Sequence, residues 1–553
     1  MKRFEKMRLL IITITIIFSV FTFSCKSDDN ETIAPTISGF SVPAKVVGDA
    51  PFKLASPTSN SGGAFTYSSS NNAVATVAGD MVTIVSEGTS VITATQAASV
   101  NYSSGKISDS LVVTKTSVGP PAGLRNLYVS KTGNDTNDGS INTPFLTINK
   151  AAQVAVAGDV VIIKSGTYKP SATIVAANSG TQTSPIVYFA ETPGTVIIDG
   201  QNTLPSMASR EGLFTVSGKS WIVIDGLRII NSGFFGVLIE VGASNIVVKN
   251  CTTYNTGASG ICARNCSSIK VLNNVVQRAC YAPSTSTQTS ECITMASVAT
   301  FEVAYNTVFD RLVDVSGGGE GIDAKNSCTD GSIHHNTIYD LIRYGLYIDA
   351  YSGTMSNIDV YANKVYNCKK SGIIIASEEG GSITGAKAHD NLVYNCGNIG
   401  IWVAGYLRNG PLKNIEVYQN TVYNCGGTGN YLNSGILIEA SNPLCSGYTF
   451  RNNIVSGCPV AIKSNVSQPF PITVDNNIFF GTIGSFSPNT SVTNTFNVDP
   501  LFVDATKANF NLKSTSPAID KAVGTPLSTI DFNGISRPSG ASSDLGAFEY
   551  MKP

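Results

Sequence analysis

Acidic residues and one lysine recur at similar places in successive repeats along the middle of the chain. Asp323 and Lys325 lie two and four residues after a glycine, Asp349 lies four residues after the next such glycine, and Glu378 lies six residues after the one beyond. Glycoside hydrolysis uses two carboxyl groups beside the glycosidic oxygen, about 5 Å apart for retention or about 6.5–9.5 Å apart for inversion. The pattern therefore predicts acid-base chemistry on a glycan, with the three acids as catalytic residues and Lys325 tuning them.

The repeat that carries these residues consists of a glycine, a short strand of alternating apolar residues, a loop, and a second strand that ends in asparagine. Successive asparagines lie 24 to 33 residues apart, without a helical pattern between them. Such a period is typical of a stacked β-solenoid, in which equivalent positions of neighbouring coils lie about 4.8 Å apart. The glycines are Gly236, Gly260, Gly321, Gly345, Gly372, Gly400 and Gly435, and the asparagines are Asn250, Asn274, Asn306, Asn336, Asn363, Asn391, Asn420, Asn453 and Asn477.

Alternation along the glycine-initiated strands divides their residues between two faces. Residues one and three after the glycine are apolar in nearly every repeat, so they are predicted to face the interior. Residues two and four then face outward, which places Asp323, Lys325 and Asp349 on one exposed face. Lys325 and Asp349 occupy equivalent positions on adjacent coils and are expected within ion-pair reach, with Glu378 flanking them.

Aromatic and basic residues are predicted on the same exposed face. Tyr347 and Trp402 are second after their glycines, and we expect their rings to stack against sugars. Arg264 lies two coils before Lys325 and is predicted to reach an acidic sugar. The coil between Arg264 and Lys325 is aligned with Glu291 in the place of the glycine. An alternative interpretation of the acids and Lys325 is a surface salt bridge between coils, which would contribute little stability.

Two further columns are predicted to be structural. The repeated asparagines should bond coil to coil through their side-chain amides and satisfy backbone groups at the turn. Eleven of the twelve cysteines lie between Cys251 and Cys458, and four of them each follow a repeat asparagine by five residues, namely Cys368, Cys396, Cys425 and Cys458. Equivalent positions in successive coils favour stacked, reduced thiols that fill the interior.

Composition and segment order frame the repeat. The chain has 553 residues, a charged fraction of 14% and a net charge near −1, which argues against a nucleic-acid partner. Basic residues followed by an apolar run to Phe23 predict an export signal over residues 1–25. An acidic tether (26–31), a β-rich domain (32–116), a linker rich in proline and glycine (117–125), the solenoid (126–490) and a C-terminal cap (491–553) follow.

Several of these segments resemble known families. Cys25 followed by an acidic stretch resembles the cleavage site of surface lipoproteins of the Bacteroidetes type, which implies lipidation at Cys25 and a surface-exposed position at the outer membrane. The strand pattern around Ser69 to Thr95 resembles a bacterial Ig-like β-sandwich. The stretch from Leu127 to Tyr168 resembles the first coil of right-handed parallel β-helices of the pectin-lyase type. The resemblance implies an all-β chain, an Ig-like β-sandwich followed by a right-handed parallel β-helix.

The fold leaves the chemistry open, because it carries lyases, hydrolases, epimerases and inert adhesins. Gly318-Gly-Glu-Gly-Ile-Asp-Ala-Lys325 resembles a coil of polysaccharide lyase family 9, which implies that Glu320 is a calcium ligand. The following coils depart from that family, since Arg343 and Tyr344 stand where it has paired aspartates and Ile374 stands where a catalytic lysine is expected. The Glu320 to Lys325 spacing also resembles that of polysaccharide lyase family 6. The arginine that this family would place on the following coil is replaced in this chain by Asp349.

Three functions therefore stay open, and the first is preferred. A glycoside hydrolase would use Asp323, Asp349 and Glu378 and need no cofactor. A lyase acting on uronic-acid polymers would use Lys325 or Arg264 as base, with Ca²⁺ held by acids that include Glu320. A catalytically inactive adhesin or glycan-binding protein would use the same surface to bind a glycan without cleaving it. In each case we expect a monomer whose partner is a polysaccharide, tethered to the membrane through Cys25.

Overall fold

The computed structural model describes residues 33–551 except 44, 48, 73, 87, 115–124, 282–290, 312–317, 407, 428–432, 468–469 and 526. These residues fall into two compact units, within Met1–Thr116 and Ser117–Pro553. The predicted signal peptide with Cys25, the acidic tether and nearly all of the linker lie outside the described residues. None of the helices in the described part of the chain has the length and apolar character needed to cross a bilayer.

The first unit is built from nine short strands in small sheets. One sheet has the order β2-β9-β8-β5, a second has the order β3-β7-β6, and a third pairs β1 with β4. Their core includes Leu54, Val82, Ile92 and Leu111. This confirms the prediction of a small β-rich domain ahead of the solenoid. The strands are β1 (Ile37–Ser38), β2 (Lys45–Val46), β3 (Phe52–Lys53), β4 (Thr58–Ser59), β5 (Phe65–Ser69), β6 (Ala75–Ala78), β7 (Met81–Ile84), β8 (Gly88–Gln96) and β9 (Gly105–Thr114).

The second unit is a parallel β-solenoid, as the repeat predicts. It begins with β10 (Arg125–Val129), α1 (Ile148–Val154), β11 (Asp159–Ile163), β12 (Gly166–Tyr168), β13 (Ile174–Val175), β14 (Ile186–Ala190), β15 (Val196–Asp199), β16 (Gly212–Ser217), β17 (Ser220–Asp225), β18 (Arg228–Ile230), β19 (Phe235–Glu240), β20 (Ser244–Lys249), β21 (Thr252–Tyr254), β22 (Ile261–Leu272), β23 (Val275–Gln277), β24 (Ile293–Ala304) and β25 (Thr307–Arg311).

It continues with β26 (Ile322–Lys325), β27 (Thr329–His334), β28 (Thr337–Leu341), β29 (Leu346–Asp349), β30 (Thr354–Tyr361), β31 (Lys364–Tyr366), β32 (Ile373–Ala376), β33 (Ser382–His389), β34 (Leu392–Tyr394), β35 (Ile401–Val403), β36 (Leu412–Tyr418), β37 (Thr421–Tyr423), β38 (Ser434–Ala440), β39 (Ser446–Arg451), β40 (Ile454–Ser456), β41 (Val460–Val466), β42 (Ile472–Asp475), β43 (Ile478–Phe480) and β44 (Thr490–Thr493). The C-terminal segment holds β45 (Phe502–Asp504), a 3-10 helix (Ala505–Lys507) and β46 (Asn509–Leu512).

Each full coil supplies up to three strands to two parallel sheets. The 12-stranded sheet takes one short strand per coil, from β12 to β43, and the 23-stranded sheet takes the others. The predicted inward residues of the glycine-initiated strands are fully buried in one continuous core, as Ile322, Ala324, Leu346, Ile348, Ile373 and Ile375 illustrate. Helix α1 buries Ile148, Ala151 and Ala152 in the same core. The alternation therefore gives the inward face correctly.

The asparagine column is a buried ladder of hydrogen bonds. The Asn363 Nδ2 atom donates to Asn391 Oδ1 at 3.0 Å and to the backbone oxygen of Ile333 at 2.8 Å. The Asn363 Oδ1 atom accepts from the backbone and the side-chain nitrogens of Asn336 at 3.1 and 2.9 Å. The same pattern joins Asn274 through Asn477. The predicted structural role is confirmed for these eight residues.

Asn250 is the exception, and its assignment to the ladder is wrong. The register pairs Thr252 with Val275, so Cys251, rather than Asn250, aligns with Asn274. The backbone nitrogen of Cys251 donates to Asn274 Oδ1 at 2.9 Å, while Asn250 turns out with a φ of 55° and donates to Asp225. Asn250 is therefore a turn residue that precedes the ladder position of its coil by one residue.

The cysteines behave as predicted. All eleven cysteines from Cys251 to Cys458 are buried free thiols. Within the column, the backbone nitrogen of Cys425 lies 3.3 Å from Cys458 Sγ on the next coil. Ten of these thiols pack as small apolar side chains inside the solenoid, whereas Cys262 belongs to a separate apolar cluster with Phe234 and Phe235.

The C-terminal segment packs laterally against the 12-stranded sheet. Phe502, Phe510 and Phe548 form an apolar cluster with Tyr394 and Ile454 of that sheet, among others. The fully buried Arg537 ties the segment down, since its Nη2 lies 2.9 Å from Asp390 and its Nη1 lies 2.8 Å from Glu549. The segment thus covers apolar surface along the side of the later coils.

The ladder predicts a large loss of stability on truncating one amide. Replacing Asn363 with alanine removes the side-chain partner of the backbone nitrogen of Asn336 and of the backbone oxygen of Ile333, and it takes one of two hydrogen bonds from Asn391 Oδ1. Each buried group left unsatisfied costs about 1–3 kcal/mol. We expect Asn363→Ala to lower the free energy of unfolding by about 3 kcal/mol or more in urea denaturation followed by circular dichroism. The exposed Asn142 is a matched control, and Asn142→Ala should change it by less than about 0.5 kcal/mol. Equal effects of the two variants would refute a stabilising ladder.

Candidate active site

Three consecutive coils bring the predicted site residues into register. Asp323 pairs with Tyr347 across β26 and β29, and Lys325 pairs with Asp349. On the next coil, β32 places Ala376 beside Asp349, and Glu378 follows two residues later. The columns deduced from the repeat are therefore those of the structure, but the prediction of an exposed face is wrong, because Asp323 and Asp349 are only 1% and 4% exposed.

Lys325 is the centre of a buried ion cluster. Its Nζ lies 2.7 Å from Glu291 Oε1 and 3.1 Å from Asp323 Oδ2. The side chain of Lys325 is 15% exposed, whereas those of Glu291 and Asp323 are each 1% exposed. The direct partners of Lys325 are thus Glu291, on the preceding coil, and Asp323, on its own strand; Asp349 acts on it through charge alone.

Glu291 is a site residue that the sequence interpretation missed through a misplaced register. Ile293 pairs with Ile322, so Cys292 takes the place of Gly321. Glu291 then lies one coil from Glu320, at the equivalent position. Aligning Cys292-Ile-Thr-Met with Gly321-Ile-Asp-Ala would have revealed this pair of acids.

Glu320 has its own cation. Its Oε1 lies 2.7 Å from Arg343 Nε, and both side chains are largely buried. Arg343 stands where the lyase family 9 resemblance expects an aspartate, so a cation replaces an acid at this point of the cluster. Counting Glu378, five carboxyl groups crowd around Lys325 and Arg343 in this part of the structure.

Asp349 and Glu378 form the outer side of the cluster. Asp349 is 4% exposed, and its Oδ1 accepts a hydrogen bond from the backbone nitrogen of Tyr351 at 2.7 Å. Glu378 is partly exposed, and its Oε1 accepts a hydrogen bond from the hydroxyl of Tyr347. The accessible edge of the cluster therefore lies at Glu378.

Burial and excess negative charge perturb these groups in a consistent direction. Burial, followed by the charge of Glu378, raises the pKa of Asp349 to about 7, although Lys325 opposes the shift. Burial also raises the pKa of Asp323 well above its usual value, against the nearby Lys325. Burial and the charge of Glu291 raise the pKa of Glu320. The cluster therefore holds protons that ordinary carboxyl groups would release below pH 7.

The pKa of Lys325 is raised, whereas a lysine that acts as general base needs a lowered pKa. Burial by itself would lower the pKa of Lys325, but the charges of Asp323 and Glu291 outweigh burial and raise it. The ammonium form is thus favoured at neutral pH. Its role in this arrangement is that of a fixed cation.

The prediction that Tyr347 and Trp402 are exposed is wrong. They point out of the solenoid core as expected, but they are only 4% and 6% exposed and belong to a separate apolar cluster, which Tyr344 and Tyr406 help to cover. Trp402 Nε1 donates to Glu439 Oε2 at 2.8 Å. Alternation tells the direction of a side chain but not whether a neighbouring loop covers it, which is why the sequence misled here.

Arg264 lies in the predicted column, two coils before Lys325. Its guanidinium turns toward the preceding coil, where Nη2 lies 2.6 Å from Glu240 Oε2 and the ring of Phe235 is 5.7 Å away. The Arg264 guanidinium therefore contacts Glu240 and Phe235 and is not one of the cations that pair with the acidic cluster.

The acids do not fit a calcium ion as they are arranged. Calcium takes six to eight oxygen ligands. Here Glu320 is paired with Arg343, and Glu291 and Asp323 are both paired with Lys325, so cations already occupy the space between the carboxylates. Among the residues that the structure describes, no group of three or more acids, cysteines or histidines is placed to hold a metal.

Parts of this chain are similar in sequence or in fold to known proteins. Pectate lyase PEL9 of Emericella nidulans is 34% identical over 161 residues, which cover 27% of this chain and 37% of the lyase, so the chain spans little more than a third of that relative's length. Among solved structures, pectate lyase Pel9A superposes with a TM-score of 0.46 at 15% identity, covering 77% of this chain and 97% of that one. The lacto-N-biosidase of glycoside hydrolase family 136 from Eubacterium ramulus superposes with a TM-score of 0.42 at 12% identity, covering 68% of each chain.

Two family models match the solenoid. The model described as a Pel9A-like, right-handed β-helix region matches residues 127–291, and the model described as a right-handed β-helix region matches residues 215–384 and 292–495. The first match ends before Asp323, Lys325, Asp349 and Glu378. The second spans more than half of the 553 residues, and the chain therefore belongs to the right-handed β-helix family.

Proposed function

We propose that this protein cleaves a polysaccharide by hydrolysis, with Asp349 as general acid and Glu378 as the partner carboxylate. The observation that carries the proposal is the crowding of five carboxyl groups around two cations on four adjacent coils. Acid catalysis needs a carboxyl that keeps its proton near neutral pH, and the buried Asp349, whose pKa is raised to about 7, meets that need beside the partly exposed Glu378.

The roles follow from the surroundings of each group. Asp349, with a pKa raised to about 7, would donate its proton to the leaving glycosidic oxygen. Glu378, at the accessible edge and held by the Tyr347 hydroxyl, would act as base toward water or as nucleophile. Lys325 would stabilise the negative charge that Asp349 acquires, because the two residues are neighbours in register.

A uronate-directed lyase is the second candidate, and one observation favours it. The relative from Emericella nidulans, 34% identical over part of its length, is named a pectate lyase. Elimination would require a base, however, and Lys325 is held as an ammonium by Asp323 and Glu291. The Pel9A-like match also ends at residue 291, before Asp323 and Lys325.

The two candidates differ in the products they form. We expect the protein to release new reducing ends from at least one of arabinoxylan, mixed-linkage β-glucan, galactomannan and polygalacturonate, without the ultraviolet absorbance of an unsaturated uronate. Reducing ends accompanied by that absorbance would establish the lyase instead. The absence of any product would leave a binding protein and overturn the enzymatic proposal.

Substitution of the proposed acid tests the site itself. Asp349→Asn should lower kcat on the cleaved polysaccharide by about 10²–10⁴-fold, because the general acid is removed while its hydrogen bond from Tyr351 can be kept. Asp340→Asn is the matched control on the 12-stranded sheet, where Asp340 adopts a φ of 52° that asparagine tolerates. If the two variants cleave equally fast, Asp349 is not the acid.

The pH dependence has a defined sign. Asp349 acts in its protonated form, which predominates below its pKa of about 7. The rate should therefore fall as the pH rises through about 7, giving an alkaline limb in the profile of kcat/KM against pH. A rate that stays constant from pH 6 to pH 9 would contradict this role.

The same residue should limit stability. A carboxyl whose pKa is higher in the folded state stabilises the fold fully only below about pH 4, and this stabilisation is lost as the pH rises to about 7. At pH 8 the folded protein holds a buried charge, so Asp349→Asn should raise the free energy of unfolding there by on the order of 2 kcal/mol. Urea denaturation at pH 5 and pH 8 measures this. Destabilisation at pH 8 would indicate a structural salt bridge instead.

A further inference from the structure

A groove runs along a different strand of the coils from the one that carries the acidic cluster. It has a volume of about 560 Å³ and is lined by residues of β17, β20, β27 and the second halves of β22 and β24, together with Gln182 and Pro185 ahead of β14. The lining residues within these strands come from five coils that follow one another in the sheet. At about 4.8 Å per coil, the lining spans about 19 Å along the solenoid axis, which suits an extended polymer better than a single small molecule.

Trp221 lies at one end of this groove in an unfavourable backbone conformation. Its φ is 59°, in the left-handed region that bulky residues rarely adopt. The equivalent positions on later coils also have positive φ and hold small or polar residues: Asn245, Ser268, Thr300, Asp330, Asn357, Gly385 and Asn414. The fold therefore calls for asparagine or glycine here, and a tryptophan is an outlier that structure does not need.

The remaining lining suits a ligand that is apolar on its faces and polar at its edges. Val223 and Val247 are neighbours in register and present apolar side chains to the groove. Lys270, the one lysine or arginine among the described lining residues, is paired with Glu302 at 2.7 Å. Asp330 accepts a hydrogen bond from Asn357 at 2.8 Å. With its cation already paired, the groove offers no attraction to a polyuronate, and an indole plane beside paired polar groups matches a neutral sugar chain.

We propose that this groove is a second glycan-binding site, in which an extended neutral polysaccharide stacks on Trp221 and follows the solenoid axis. The choice of ligand class rests on the proposed function, but the site does not include the acidic cluster. It would hold the polymer on the protein independently of cleavage. This specifies the substrate as a neutral glycan and excludes polygalacturonate from the groove.

The two tryptophans of the chain allow a direct test. In the full chain carrying Trp402→Phe, Trp221 is the only tryptophan, and its emission should change and saturate on titration with at least one of arabinoxylan, mixed-linkage β-glucan or galactomannan. In the chain carrying Trp221→Phe, the buried Trp402 should give no such change. Polygalacturonate should leave the emission of Trp221 unaltered.

A third variant is Trp221→Asn, which the fold should accept because asparagine occupies the equivalent position on other coils. We expect it to weaken retention in affinity electrophoresis by 10-fold or more on the same polysaccharide, with an unchanged or higher Tm. A merely structural tryptophan would instead give unchanged retention or a lower Tm.

Each outcome decides one of the two proposals. Cleavage of a neutral polysaccharide without any response of Trp221 overturns the second site and leaves the catalytic proposal standing. A saturating response of Trp221 without cleavage supports the second site and overturns catalysis. Neither response nor cleavage overturns both. A change in oligomeric state of Trp221→Asn in sedimentation would identify the groove as a contact between copies and overturn the glycan proposal.

Discussion

The structure depends on hydrogen bonding from coil to coil, which fixes the register between neighbouring coils. Backbone bonds of parallel strands set the spacing, and the buried amides of Asn274 through Asn477 prevent one coil from sliding on the next, since a slip of one residue would leave several buried polar groups unpaired. Once this register holds, a residue's place in its repeat determines its neighbours. Lys325 faces Asp349 for that reason alone.

The acidic cluster is a departure from what stacking favours. A solenoid gains stability by repeating apolar residues in columns, yet the columns through Glu320 and Lys325 carry charged residues on consecutive coils, Glu291 with Glu320 and Lys325 with Asp349. Lys325 and Arg343 neutralise only part of five carboxyl groups, so part of the remaining charge is relieved by a retained proton, as the raised pKa of Asp349 expresses. A cost of this kind persists at sites where it serves chemistry.

Sequence reasoning recovered the fold, the inward residues, the thiol column and the register of Asp323, Lys325 and Asp349, because all of these follow from a repeat of constant geometry. It failed where a local feature overrode the repeat. Cys292 stands where the repeat predicts a glycine, so the coil was aligned one residue out of register and Glu291 was not recognised as a site residue. Cys251 occupies the ladder position that was assigned to Asn250. It also could not see that Tyr344 and Tyr406 cover the face of Tyr347 and Trp402, since coverage depends on loop conformation rather than on alternation.

The most direct measurement is a crystal structure of the Asp349→Asn protein with an oligosaccharide that the wild type cleaves. The substitution should leave the complex intact by removing only the proton donor. We expect the scissile glycosidic oxygen at hydrogen-bond distance from the side chain at position 349, about 2.6–3.2 Å, with Glu378 on the other side of the sugar. An oligosaccharide whose scissile bond lies away from both residues would contradict it.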